Sequence, residues 1–195
     1  MHLASYAIQS LEASYAFFDK GDEKYFDKVE KFETAVNSID EELTTYLIDI
    51  SNESLSVSEN EILASVLDSV RDLERIGDLA VASASLSQHI HSKGIEFSEI
   101  AKAELADVYN RTHRIILDSI RVVVDDDKVL AGQVILRHEE LEKLAKQLRK
   151  IHTKRLNNGE CTAQAGINYV DYLSHYTRIA DHAINLVEKV TEGVI

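Results

Sequence analysis

Glu74 and Asp78 stand one helical turn apart in the string RDLERIGD (71–78). Four-residue spacing puts both carboxylates on one side of a helix, where like charges repel. A hard or borderline cation relieves that repulsion, and oxygen ligands suit magnesium, calcium, manganese or iron. The same acids can instead pair with Arg71 and Arg75 at the surface, at about 0–1 kcal/mol per pair. A related string, HYTRIADHAINLVE (175–188), has Thr177 in place of Glu74 and Asp181 in place of Asp78. Asn185 and Glu188 follow on roughly the same side. Asp181, Asn185 and Glu188 thus form either an oxygen-rich cation patch or a hydrogen-bonded polar flank.

Other catalytic chemistries lack support. His89 and His91 are two apart, so on a helix they do not face each other. Asp171, His175 and His182 share a helical face, but it lies opposite the apolar stripe and reads as solvated. No histidine has a glutamate three residues before it, so the Glu-x-x-His element of di-iron bundles is missing. There is no GxxxxGK[ST], GxGxxG or GxSxG. The single cysteine, Cys161, has no histidine in its neighbourhood (NNGECTAQ) and permits no intramolecular disulfide, which fits a reducing compartment. The reading is of a non-enzyme.

The elements that position these residues are helical. Proline is absent from the 195 residues and glycine occurs seven times, too few for a turn-rich sheet fold. Apolar residues recur with helical period over 3–19 and 23–50. FDKGD breaks the first helix, with Asp22 as an N-cap candidate. Ser58 and Glu61 suggest a capping box for a third helix ending near His91, with Lys93 and Gly94 as its exit. Ser98 starts a fourth helix reaching about Val124, and Asp125–Asp127 make the turn. A fifth runs to about Arg155, and NNGECTA separates it from a sixth over about 163–191. Long helices with short connections predict an all-α, six-helix bundle. On the third helix, Glu74 lies about 70° and Asp78 about 110° from the centre of the apolar stripe at 100° per residue.

The six helices read as three used twice. An offset of 105 superposes Asp22 on Asp127, Val29 on Val134, Val36 on Leu141 and Tyr46 on Ile151. An offset of 103 superposes RDLERIGDLA (71–80) on SHYTRIADHA (174–183), with Arg, Ile, Asp and Ala identical at four positions. The predicted repeats are 1–95 and 96–195, within one compact domain. The net charge of −13 argues against a nucleic-acid binder and against docking on an anionic membrane through charge alone. No signal-peptide pattern opens the chain, and no apolar run reaches the ~18 residues of a membrane span.

The doubled signature, RDLERIGD (71–78) and RIADHAINLVE (178–188), resembles the PhoU family of phosphate-uptake regulators over essentially the whole chain. The stretch ETAVNSIDEELTTYL (33–47) looks like PhoU-like domains appended to sodium/phosphate cotransporters. The short first helix is consistent with a piece of a longer membrane protein. The resemblance implies a cytoplasmic regulator at the inner face of the cell membrane, acting on a phosphate transporter in cis or in trans, with a sensor kinase as a further partner and a homodimer as one oligomeric form. It also implies metal binding (iron, zinc, manganese or magnesium) on an acidic E/D-x-x-x-D motif in each repeat: Glu74 and Asp78 in the first, only Asp181 in the second. The alternative function is a metal-dependent helical protein, a hydrolase or a metal store, built on the acidic seam.

Overall fold

Local chemistry sets the helix limits. The computed structural model describes residues 2–193, which form six helices: α1 (His2–Lys20), α2 (Glu23–Ser51), α3 (Val57–Lys93), α4 (Glu99–Asp125), α5 (Lys128–Asn157) and α6 (Ala163–Thr191). Side chains of Asp22, Ser98, Asp127 and Thr162 accept hydrogen bonds from first-turn amides. Each such cap contributes about 1 kcal/mol. The capping box of α3 is Ser56 with Glu59, not Ser58 with Glu61: Glu59 accepts from the Ser56 amide at 2.7 Å and donates its own amide to Ser56 Oγ. The helix therefore starts two residues earlier, at the exposed Val57. Gly94 closes α3 in the left-handed conformation, φ 61°. Asp126 adopts the same conformation after α4, φ 49°, at the position offset by 105 from Gly21, φ 66°.

Helices α1–α3 pack together, as do α4–α6, and the two units meet along α3–α6 and α1–α4. Both halves bury the same register. Leu3 and Val108, Leu11 and Ile116, Phe17 and Val122, Val29 and Val134, and Val36 and Leu141 are all buried. So are Ile76 with Ile179 and Ala80 with Ala183, at offset 103. One apolar cluster runs through both units, while α2 rests on two smaller ones, around Phe17 and Val29 and around Leu3, Val36 and Val70. Tyr15 stacks on Tyr109 across the α1–α4 junction, with ring centroids 3.8 Å apart. The three tyrosines of α6, Tyr169, Tyr172 and Tyr176, are almost fully buried, and burial pushes each hydroxyl well above its ordinary range. The boundary placed at 95/96 falls in the connection between α3 and α4.

Gly166 in α6 allows an unusually close approach of α5. A Cβ there would stand 2.8 Å from Nε2 of the buried His152 and 2.9 Å from Leu156 Cδ2. His152 itself stacks on Tyr169 with 4.5 Å between centroids. Gly132, in α5, faces open space. The same substitution thus has opposite signs at two helical glycines. Gly132→Ala should stabilise by about 0.5–1 kcal/mol through helix propensity. Gly166→Ala should destabilise by about 1–3 kcal/mol through overpacking. Urea unfolding followed by circular dichroism measures both.

Candidate functional site

Helices α3 and α6 run antiparallel, and the seam between them is polar along its length. Asp72 sits toward one end of it, 9% exposed. Its Oδ1 accepts from Asn185 Nδ2 at 2.9 Å and lies 3.0 Å from His182 Nδ1, while Oδ2 accepts from Lys189 Nζ at 3.1 Å. Lys189 also donates to Ser69 Oγ at 3.2 Å. Toward the other end, Ser83 Oγ meets His175 Nδ1 at 3.1 Å and Ser87 Oγ meets the Tyr172 hydroxyl at 2.6 Å. The face expected to be solvated is therefore the inter-repeat contact. His175 and His182 are half-buried against α3, because α6 packs on three helices, α3, α4 and α5. Sequence reading missed Asp72 altogether. Burial pushes the pKa of His175 down. Beside the seam, a cleft of about 450 Å³ is lined by Arg71, Arg75, Glu188 and Glu192 together with the Asp72 group.

The acid pair flanks the core as its position on the helix wheel requires. Glu74 and Asp78 side chains are 22% and 37% exposed. Arg75 meets both, at 3.5 Å and 2.9 Å, while Arg71 pairs with Asp68 instead. Burial, then the Asp78 charge, raises the Glu74 pKa, and Asp40 of α2 adds to the same push. Oδ1 of Asp40 is buried without a hydrogen-bond partner. Three carboxylates thus neighbour one another here, one with an orphaned oxygen. Among the described residues no three His, Cys, Asp or Glu side chains are gathered into a ready-made cage.

The second repeat does not reproduce this chemistry. Thr177 donates its hydroxyl to the Leu173 carbonyl, and Ala145 stands where the offset of 105 places the partner of Asp40. Asp181 is exposed and pairs with His138 of α5 at 2.8 Å. Asn185 turns away to Asp72, and Glu188 remains exposed near His138. Asp181, Asn185 and Glu188 are thus split between two jobs and do not converge as one oxygen-rich patch. The residues present at this end do not fit a carboxylate-held metal.

Two further ion pairs escaped the sequence reading. Asp118, 1% exposed, accepts from Arg114 Nε at 2.6 Å and from Arg137, with Arg121 3.9 Å away. Arg155 grips Glu104 with both terminal nitrogens, at 2.6 and 2.7 Å, and Tyr169 donates to the same carboxylate. Together these lower the Glu104 pKa against its desolvation. The i, i+4 spacing of Arg114 and Asp118 and the i, i+3 spacing of Asp118 and Arg121 were local hints of the first.

The PhoU domain model matches this chain twice, over residues 1–86 and 105–190. The chain belongs to the PhoU family. A PhoU homologue of Thermotoga maritima, described as phosphate-specific transport system accessory protein PhoU homolog 1, is 30% identical over 128 residues. That match covers 66% of this chain and about half (54%) of the relative's length. The crystal structure of PhoU from Pseudomonas aeruginosa superposes with a TM-score of 0.85 at 20% identity, covering 98% of this chain and 92% of that one. The phosphate transport system regulatory protein PhoU from Streptococcus pneumoniae gives 0.83 at 16% identity, covering 97% and 88%. At those identities the structures establish the PhoU fold. Among the described residues no helix is long and apolar enough to cross a membrane.

Histidines of the second repeat are shifted in opposite directions. The hydrogen bond to Asp181 raises the pKa of His138, whereas burial lowers that of His152 and His175. A raised histidine binds protons more tightly in the folded state. Its stabilisation is full below histidine's ordinary pKa and lost as pH rises through the folded value. The depressed histidines act with the reverse sign and weaken the fold as pH falls below the ordinary value. NMR titration should place His138 above, and His152 and His175 below, an unfolded reference. Asp181→Asn should bring His138 back toward that reference and leave His175 unmoved.

Proposed function

We propose that this chain is a non-catalytic accessory protein of phosphate transport, a regulatory interaction module acting at the cytoplasmic face of a phosphate-transporting membrane protein. The observation that carries the reading is the doubled PhoU match, one copy on each three-helix unit. The relative's description as a phosphate-specific transport accessory protein supplies the process. Buried polar side chains, Asp72, Asp118 and Glu104 among them, are spent on holding helices together. Such an architecture suits a protein that works through its surface. Partners in this reading are the transporter itself, a sodium/phosphate cotransporter or another phosphate system, and a sensor kinase coupled to it.

The cation is a separate component of the proposal. Glu74 and Asp78, with Asp40 alongside, would hold one iron, zinc, manganese or magnesium ion in the first repeat. Its chemistry would be charge neutralisation between α2 and α3, with no bond-making step. Asp78 would lose its partial neutralisation by Arg75 only if the guanidinium swings aside, which its 59% side-chain exposure permits.

Two measurements test these components independently. Deleting the gene should change phosphate uptake, and the tagged protein should co-purify with phosphate-transport membrane proteins. Unchanged uptake together with no such partner would contradict the regulatory reading. Titration calorimetry with manganese should give at most one site per chain, weakened at least tenfold by Glu74→Gln with Asp78→Asn. No binding to the unmodified protein removes the cation and leaves the regulatory reading standing.

A further inference from the structure

The two outer helices carry opposite charge over the same stretch of the repeat. Residues 38–50 of α2 hold four carboxylates and no Lys or Arg; their equivalents at offset 105, residues 143–155 of α5, hold six Lys or Arg and no acid. This polarisation extends to the halves. Residues 1–95 carry eighteen acids against seven bases, and residues 96–195 sixteen against fourteen, so the first repeat supplies nearly all the net negative charge.

Lys143, Lys146 and Arg155 are paired with Glu139, Glu142 and Glu104, and much of the remaining charge is presented outward. Glu41, Glu42 and Asp49 are exposed on α2, as are Lys150 and Lys154 on α5. Among the described residues none of these five has an ion-pair partner. α2 and α5 make no contact with each other, since α1, α3, α4 and α6 lie between them. The attraction therefore cannot be satisfied within one molecule. Each stretch also exposes an apolar side chain at the same repeat position: Tyr46, 63% exposed, among the acids and Ile151, 42% exposed, among the bases. Exposed apolar anchors ringed by complementary charge are the anatomy of a protein interface.

We infer that a second copy of this chain docks here, the acidic end of α2 on one molecule against the basic end of α5 on the next. The occupant is set by complementarity that the chain itself supplies. The contact is heterologous, because different surfaces meet, so it propagates head to tail or closes into a ring. Ion pairs at its rim make it salt-sensitive. The inference is independent of the phosphate-transport reading.

Sedimentation velocity of the full chain tests it. At low ionic strength (~20 mM) the average mass should rise with protein concentration, and at ~500 mM association should weaken at least tenfold. Glu41→Lys with Glu42→Lys should abolish association, and Lys150→Glu with Lys154→Glu should do the same. These positions are exposed, and unchanged helical circular dichroism confirms each fold; should one variant fail to fold, the other still reads the contact. An equimolar mixture of the two variants restores opposite charges across the interface and should recover association. A wild-type chain that stays monomeric at low salt overturns the proposal, as do variants that associate like wild type or a mixture that stays monomeric. Vesicles of phosphatidylcholine with phosphatidylserine provide the competing arm. Binding of a monomeric chain through Lys150 and Lys154 would assign the basic face to a lipid surface and overturn the second-copy assignment.

Discussion

A single buried carboxylate, Asp72, holds the two repeats in register. It lies on α3 and draws every one of its side-chain partners from α6. Its side chain and that of Lys189 are only 12% and 15% exposed. Taking two opposite charges out of water costs several kcal/mol, and their attraction compensates only when geometry and extra hydrogen bonds are good. Here Asn185, His182 and Ser69 supply those bonds. Such a cluster adds little net stability over an apolar seam, but a misregistered seam would strand a charge. Apolar contacts tolerate sliding, whereas a bonded ion pair does not. Asp72 thereby fixes how far α6 lies along α3, and with it the spacing of the acid pair on α3 from Asp181 on α6.

The repeats share their apolar register and differ in their polar chemistry. Buried Asp118 in α4 occupies the position of Ala13 in α1, and buried His152 in α5 that of Leu47 in α2. Asp72 itself corresponds to His175. A pseudo-twofold seam with identical residues on both sides would place like groups opposite each other at the axis. Divergence to carboxylate on one side and imidazole, amide and ammonium on the other lets the halves complement each other. The same divergence moved the acid cluster into the first repeat and left the second with Thr177, Ala145 and an Asp181–His138 pair. A cation, if held, belongs to one half only.

Much of the fold was readable because helical period and caps are local. Asp22, Ser98, Gly94 and the Asp125–Asp127 turn mark element ends by their own chemistry, and the duplication exposed itself through R-I-x-D-x-A at matching places. The flank position of Glu74 and Asp78 followed from the apolar stripe of α3. The seam was not readable by the same method. A helix wheel assigns one apolar stripe and treats the opposite face as wet, but α6 has helices on three sides. His175, His182, Asn185 and Lys189 carry a helical rhythm of their own, and Ser69, Asp72, Ser83 and Ser87 answer it on α3. That match becomes visible only once the two helices are laid antiparallel, which needs the third dimension. The capping box slipped by two residues for a simpler reason: two serines and two acids share the same spacing at 56–61.

A double-mutant cycle across Asp72 and Lys189 examines the seam most directly. Asp72→Ala and Lys189→Met, singly and together, would be followed by urea unfolding. If this pair sets the register of the repeats, Asp72→Ala alone should cost about 2–4 kcal/mol, because it leaves a buried ammonium unpaired. The coupling energy should then be about 1–3 kcal/mol, the double variant recovering part of the loss. Additive effects, with coupling below about 0.3–0.5 kcal/mol, would mean that the repeats are held by their apolar core alone and that Asp72 is a bystander.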